Sequence, residues 1–252
     1  MKYFVEKDSV VREIWGKSDT ILFVFAGSAA EFALNKAVDW LYFTGKLPSD
    51  PLGRLFSTVT YARKIIFAEY ESALKSIDSI YAIHKAVENS RGKNIPDWAY
   101  RDVLYMLIHY SIASFELLER KLSPEEKEEV YDVFYRVGNR MQLKGLAQNY
   151  EEWLQQRETD MQNDLIKSDL TIDLFKQYKK HLGAIRYFIL IEGEKLIIPE
   201  QVRKLLGFSK FSFLSLIVPL YKMSRIIHLD HLIKKLLLPR KYSEEIAELD
   251  VV

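Results

Sequence analysis

The chain has 252 residues, of which 48% are hydrophobic and 13% aromatic, with 36 Lys and Arg against 35 Asp and Glu and no Cys. This composition fits a single globular domain over residues 1–252 with a core of bulky side chains. The near-zero net charge argues against a nucleic-acid partner, and the absence of Cys excludes disulfides, thiolate nucleophiles, iron–sulfur clusters and Cys-ligated zinc.

The apolar stretches are too short to span a bilayer. The N-terminal run MKYFVEKDSVVREIW is too charged for the apolar core of a signal peptide. The longest uncharged runs, ILFVFAGSAA and FSFLSLIVPLY, fall well short of the roughly 20 residues that a membrane helix needs. We therefore expect a cytoplasmic protein without a transmembrane span. Peripheral contact with a membrane stays open for the basic and apolar segment HLDHLIKKLLL.

Apolar residues recur at helical spacing along almost the whole chain, and most Gly and Pro fall between the periodic segments. The pattern predicts an all-α, single-domain bundle of many helices with mainly buried central helices. Ser18 or Asp19 is expected to cap a helix that runs towards Trp40. Gly27 inside that helix either permits close packing or breaks it, and Pro51 marks the first turn of the next helix.

Further helices are predicted in the rest of the chain. Ser123, followed by Pro124 and two glutamates, is a strong signal for a helix N-terminus. The segment 187–198 is ambiguous because its sequence, YFILIEGEKLII, also suits a short strand pair. The other predicted helices cover about 71–88, 97 to beyond 109, 150–165, 171–181, 199–206 and 213–237.

His84 occupies an apolar position of a predicted helix. It shares one helix face with Ala73, Ile77, Ile80 and Val87, so it is expected to point into the core. The ordinary explanation for such a residue is a neutral imidazole that bonds a backbone carbonyl or a hydroxyl. A role as a ligand is the alternative.

His109 lies in a polar stripe along a second predicted helix. Asp102, Tyr105, Ile112 and Glu116 share its face, while the opposite face is apolar. A helix that is apolar nearly all round is usually buried. The stripe is therefore either exposed to solvent or part of a buried polar network.

Arg54 and Thr58 lie one helical turn apart, and Tyr61 follows on the same face. An arginine keeps its charge, so its burial requires an anionic or oxygenated partner. The structural explanation is an ion pair with an acid such as Glu31 or Asp50. A bound ligand is the alternative.

Several of these segments together resemble a known family. DPLGRL followed by Thr58, IHKAV around His84, LIHYSIASFELLERKLSPEEKEEVY around His109 and a weaker LLLPRKY occur in this order. The order resembles the rubber-oxygenase (latex-clearing) and MpaB-type oxygenase family over roughly residues 27–242. Characterised members bind haem b, and the resemblance implies a haem-dependent oxygenase that acts on a hydrophobic, isoprenoid or lipid-like substrate.

The resemblance also implies residue roles. His84 matches the proximal iron ligand of the family, and an imidazole suits that role because its second nitrogen can be held by a neighbouring acceptor. Arg54 and Thr58 match residues of the haem pocket, with Arg54 as a partner for a propionate or an oxygen. His109 matches a second recurrent histidine and is assigned a supporting catalytic role in the pocket.

The chain departs from the family pattern at three places. Asn35-Lys36 stands where relatives have His-Pro, and Thr44-Gly45 stands where they have His-Ser. Ser57 replaces a lysine that occupies the distal iron position in some rubber oxygenases. A short hydroxyl cannot replace that amine, so we expect an open distal site if haem binds. Loss of the cofactor is equally compatible with these departures.

Two other functions stay open from the sequence. The first is a catalytically inactive all-α relative that binds an apolar ligand without haem. The second is a non-haem iron site formed by His84, His109 and a carboxylate such as Glu116 or Asp102, although the paired Glu-x-x-His spacing of helix-bundle iron proteins is missing. The sequence gives no indication of the oligomeric state.

Overall fold

The computed structural model describes residues 2–45 and 49–226. This part of the chain contains no β-strand, and two isolated bridges pair Tyr3 with Glu69 and Asn35 with Leu165. The all-α prediction is confirmed. The helices are α1 Val10–Trp15, α2 Ser18–Leu34, α3 Val38–Phe43, α4 Pro51–Ile66, α5 Tyr70–Arg91, α6 Asp97–Leu118, α7 Pro124–Arg140, α8 Tyr150–Asp164, α9 Asp169–Ile197, α10 Glu200–Leu206 and α11 Leu214–Ile226.

Helices α2 and α6 lie at the centre of the bundle. Both bury residues on almost every side, as expected for helices whose sequences are apolar nearly all round. Helix α9 packs against α2, and α7 and α8 pack against α6. Most of the largest fully buried side chains are aromatic, namely Trp15, Trp153, Tyr105, Tyr110, Tyr131, Tyr178 and Phe115.

Gly27 allows α2 and α6 to approach closely. A Cβ atom added to Gly27 would lie 2.1 Å from Cδ1 of the Tyr110 ring. The glycine therefore permits close packing and does not break the helix. The helix instead ends at Leu34, short of the predicted Trp40, because Asn35 takes extended backbone angles and α3 begins after it.

The predicted cap of α2 is wrong. The N-cap residue is Lys17, which makes no side-chain capping hydrogen bond. Asp19 lies inside the first turn, where one carboxylate oxygen accepts a hydrogen bond from the backbone N–H of Thr20 at 2.9 Å. Its other oxygen accepts one from Tyr221 and lies 3.5 Å from Arg225. The helix starts predicted at Pro51 and Ser123 are confirmed: Asp50 is the N-cap before Pro51, and Ser123 forms a complete capping box.

The strand pair considered for residues 187–198 is absent. This segment is the second half of α9, which is kinked at Gly183, where φ is 75° and ψ is 169°. The helix is favoured because Glu194 and Ile197 lie on a face that the bundle buries. The helix predicted at 213–237 runs from Leu214 to Ile226, and its remainder, like the LLLPRKY match, lies outside the described residues.

The face of α5 that carries His84 is buried at its start and partly exposed further on. Ala73 and Ile77 are fully buried, whereas Ile80, His84 and Val87 are half-buried. The predicted core position of His84 therefore lies at the edge of the core. None of the helices in the described ranges combines the length and the apolar character needed to cross a bilayer.

Candidate functional site

Helix α4 positions the predicted arginine and threonine. Asp50 accepts a hydrogen bond from the backbone N–H of Gly53 at 3.1 Å and so caps the helix. One turn then separates Arg54 from Thr58, and Nη1 of Arg54 donates to Oγ1 of Thr58 at 2.9 Å and to Oγ of Ser57 at 3.2 Å. The guanidinium is thus held by two neutral hydroxyls of its own helix.

The charge of Arg54 has no carboxylate partner among the residues that the structure describes. Its pKa is lowered by burial, and the nearby Tyr61 offsets part of that effect. Neither predicted ion-pair partner is in place. Glu31 pairs with Arg157 instead, and Asp50 serves as the helix cap. The half-buried guanidinium therefore keeps the capacity to bind an anionic or oxygenated group.

His84 lies in the same part of the molecule as Arg54. Burial, and after it the positive charge of Arg54, lower the pKa of its imidazole to about 4 against the opposing effect of Glu88. The ring is therefore neutral at neutral pH. Its Nδ1 atom is buried without a hydrogen-bond partner in the described part of the chain. A neutral imidazole with an unengaged ring nitrogen is the form that binds a metal ion.

The orientation of His84 is supported by the junction between α5 and α6. Its ring meets the edge of Tyr100 with 5.1 Å between centroids. Glu88 accepts hydrogen bonds from the Tyr100 hydroxyl and from the backbone N–H of Ile95, both at 3.0 Å, and pairs with Lys85 at 2.7 Å. One buried carboxylate thereby ties the end of α5 to the start of α6 and fixes the aromatic wall beside His84.

His109 belongs to a different environment. Burial, and after it the charge of Arg157, lower the pKa of its imidazole to about 3, against the opposing effect of a hydrogen bond with the backbone of Ile197. Its Nε2 atom is buried and without a partner among the described residues. The structure thus brings Arg54, Thr58 and His84 together and places His109 beside Arg157.

A buried polar centre lies between α2, α6 and α8, and the sequence reasoning missed it as a unit. Glu31 and Arg157 form an ion pair at 2.7 Å with both side chains at most 5% exposed. The Tyr110 hydroxyl donates to the same Glu31 oxygen at 2.7 Å. A charged residue inside the apolar run AGSAAEFAL was the available signal for Glu31. The sequence offered no comparable signal for Arg157, which lies in a strongly polar helix.

Asn35 and Asp102 adjoin this centre. Nδ2 of Asn35 donates to Asp102 at 2.7 Å, and Oδ1 of Asn35 accepts from the backbone N–H of Ala37 at 2.8 Å. Burial raises the pKa of Asp102 to about 7, while Asn35 lowers it. A cavity of about 10 Å³, the space of roughly one water molecule, is lined by Asp102, Glu31 and Arg157 among others. Asn35, at the position of the family's His-Pro, is thus part of the internal packing.

Glu194 is a second buried acid that the sequence reasoning did not single out. It is fully buried, and neither carboxyl oxygen has a hydrogen-bond partner among the described residues. Burial raises its pKa well above the ordinary value for a glutamate. Burial therefore favours the uncharged form of this acid. Its position in FILIEGEKLI, just after an apolar run, was the available signal.

The non-haem iron site is not supported by the geometry. Glu116 is held by Lys121 at 2.8 Å and by Lys127 at 3.0 Å, and Asp102 is held by Asn35. No group of three or more His, Cys, Asp or Glu residues is placed to hold a metal ion in the ranges that the structure describes. Metal binding by side chains alone would need such a group.

The fold and the site define an all-α protein in which an arginine that no described carboxylate pairs lies near a half-buried histidine. Residues 15–214 match the family described as "ER-bound oxygenase mpaB/B'/Rubber oxygenase, catalytic domain", which covers most of the chain. The chain belongs to this family and contains an oxygenase-type catalytic domain. No curated protein sequence and no solved structure gives a significant match.

Proposed function

We propose that this protein is a haem-dependent oxygenase that acts on a hydrophobic substrate, with His84 as the protein ligand of the haem iron. The observation that carries the proposal is the neutral His84 imidazole next to Arg54, whose charge no described carboxylate balances. The membership of an oxygenase family supports the same assignment.

The chemistry of these residues fits haem b. One imidazole would be a sufficient protein ligand because a porphyrin brings four nitrogen ligands of its own, so a cluster of protein ligands is not required. When bound, haem supplies an iron centre at which dioxygen can be activated. An unpaired guanidinium is a suitable partner for a propionate or for an oxygen of the substrate.

The residues of the chain have separable roles in this proposal. His84 binds the cofactor, and the Tyr100–Glu88 pair holds its ring in place. Arg54 binds an anionic or oxygenated group, and Thr58 orients the guanidinium through the 2.9 Å hydrogen bond. A role for His109 in the pocket stays a prediction, since its described neighbours are those of the buried centre.

A haem titration of the purified protein tests whether the cofactor binds. The absorption spectrum is recorded from the near-ultraviolet to the red after each addition. We expect a saturable Soret band at one haem per chain that is lost in His84→Ala. His181→Ala is the matched control because this half-exposed histidine of α9 lies outside the site. Arg54→Ala is expected to weaken haem binding without abolishing it.

Two results would overturn the proposal. One is an unchanged Soret band in His84→Ala. The other is the absence of a specific band in the wild-type protein, which would favour the haem-free relative with an apolar ligand, to be identified by mass spectrometry of bound lipids. If haem binds, oxygen consumption with polyisoprenoids and other alkenes then tests the class of substrate.

A further inference from the structure

Helix α11 contacts the rest of the protein through its polar side chains. Arg225 forms an ion pair with Glu119 at 2.5 Å, and the Tyr221 hydroxyl donates to Asp19 at 3.0 Å. The ammonium group of Lys222 donates to backbone carbonyls at the C-terminal end of α6, the nearer at 3.0 Å. These cations neutralise the negative end of the α6 dipole and fix the orientation of α11.

The apolar side chains of α11 consequently point away from the protein. Leu216, Ile217, Leu220 and Met223 share the outer face at helical spacing and are between 51% and 66% exposed. An amphipathic surface helix normally has the reverse orientation, with its apolar stripe on the core. The inverted orientation exposes apolar surface that none of the described residues covers.

The exposed surface continues beyond α11. The Phe213 ring lies 5.2 Å from the Phe211 ring and 6.3 Å from the Phe188 ring of α9, and all three rings are more than half exposed. Together with Ile185, which is 78% exposed, these residues and the four of α11 form a surface that we call the outer apolar face.

The outer apolar face differs from the rest of the described surface in how exposed its large apolar side chains are. Its eight residues are the described large apolar side chains that are more than half exposed, whereas exposed ones elsewhere, such as Phe43 and Ile166, stay below half. Scattered apolar residues on a surface need no explanation, but a contiguous patch of this kind marks an interaction site.

The chain segment that carries this face has an excess of positive charge. Residues 174–226 contain ten Lys and Arg and three Asp and Glu. Of the three acids, Glu192 and Glu194 are buried and Glu200 is paired with Arg203. The exposed lysines of this stretch are Lys176, Lys179, Lys180, Lys204 and Lys210. The surface of this region is therefore apolar and cationic.

We propose that the outer apolar face docks on the surface of an anionic lipid bilayer. Apolar side chains enter the interfacial region while neighbouring lysines approach the lipid headgroups, which is the arrangement of peripheral amphipathic helices. A second copy of the chain fits less well, because a symmetric contact would bring two cationic surfaces against each other. The inference goes beyond the proposed oxygenase function and does not depend on haem.

Co-sedimentation of the full chain with phosphatidylcholine vesicles, with and without phosphatidylserine, tests the docking. The wild-type protein is expected to bind the vesicles that contain phosphatidylserine and to dissociate as the salt concentration rises. The variant Leu216→Glu/Leu220→Glu should lose binding by more than about tenfold, because it removes apolar area and adds negative charge. Leu154→Glu/Ile166→Glu, two residues just under half exposed elsewhere, should bind like the wild type.

The test has outcomes that overturn the proposal. The first is that the wild type binds neither kind of vesicle. The second is that both double variants lose vesicle binding equally. The third is that light scattering shows a wild-type dimer, which Leu216→Glu/Leu220→Glu converts to a monomer. The last result would assign the face to a second copy. Circular dichroism checks folding, and Ile185→Glu/Met223→Glu repeats the test on the same face if the first variant is unfolded.

Discussion

Two polar regions of the molecule differ in how they balance charge. In the buried centre, Arg157 and Glu31 pair at 2.7 Å, and the Tyr110 hydroxyl bonds the same carboxylate. Between α4 and α5, Arg54 has neutral hydroxyl partners and His84 has an unengaged nitrogen. A paired charge is explained by the folded structure alone, whereas an unpaired one is a cost that a bound ligand can offset.

Breaking the paired centre should have the largest effect. Arg157→Met leaves the Glu31 carboxylate buried without its counter-ion, so the free energy of unfolding should fall by about 3–5 kcal/mol. Urea denaturation followed by circular dichroism measures the change. The control is Arg140→Met, which removes an exposed partner of Asp78 and should leave stability nearly unchanged. Equal midpoints for the two variants would show that the centre is not structural.

Lowering the pH should reduce the contribution of His84 to the free energy of unfolding. The unfolded chain protonates this histidine near pH 6.5, whereas burial keeps the folded pKa at about 4. Its stabilising contribution is therefore complete above pH 6.5 and is lost as the pH falls towards 4. The difference in unfolding free energy between wild type and His84→Gln should shift by about 3 kcal/mol over that window. Parallel stability curves for the two proteins would contradict the burial of a neutral imidazole.

The close approach of α2 and α6, which carry Glu31 and Tyr110 of the buried centre, can be tested through Gly27. Gly27→Ala places a methyl group against the Tyr110 ring, and overpacking of this kind costs about 1–3 kcal/mol. Thermal unfolding by calorimetry measures the loss. Gly193→Ala is the matched control in α9, because its added Cβ meets Phe23 at an ordinary 3.6 Å and should be tolerated. Equal melting temperatures for the two variants would remove the steric argument.

The smallest change in stability is expected at the unpaired arginine. Arg54→Gln removes a half-buried charge that no described carboxylate balances, so the unfolding free energy should change by less than about 1 kcal/mol or rise. The same change should raise the pKa of His84, because Arg54 lowers it. NMR titration of the imidazole protons measures the second effect. Destabilisation as large as that of Arg157→Met would make Arg54 a structural residue.

Helix positions followed from local chemistry, and errors arose where distant partners decided the outcome. Pro51 and Ser123 start helices as predicted because their capping partners lie within four residues. Asp19 lies inside the first turn of α2 and is not its N-cap, and one of its carboxylate oxygens is held by Tyr221 of α11, about 200 residues along the chain. The strand-like composition of 187–198 was overridden by packing against α2, which buries one face of a helix.

The sequence predicted only part of the candidate site, again because local spacing is visible in a sequence and long-range contacts are not. Arg54 and Thr58 lie on one helix, so their contact follows from a spacing of four residues. The structural alternative, an ion pair of Arg54 with an acid such as Glu31 or Asp50, is not formed, because the choice among possible acids depends on how helices cross. His84 and His109 occupy different environments, and their spacing in the sequence carries no information about that separation.

The sequence by itself determined the all-α class, most helix starts, the family and the residue types that carry the chemistry, because periodicity and capping act over a few residues. The tertiary structure decided which charges are paired. It placed Arg157 against Glu31, kept the Arg54 charge without a described counter-ion and turned the apolar side of α11 outward. These outcomes depend on which helices pack together, and long-range contacts of that kind leave no local pattern in the chain.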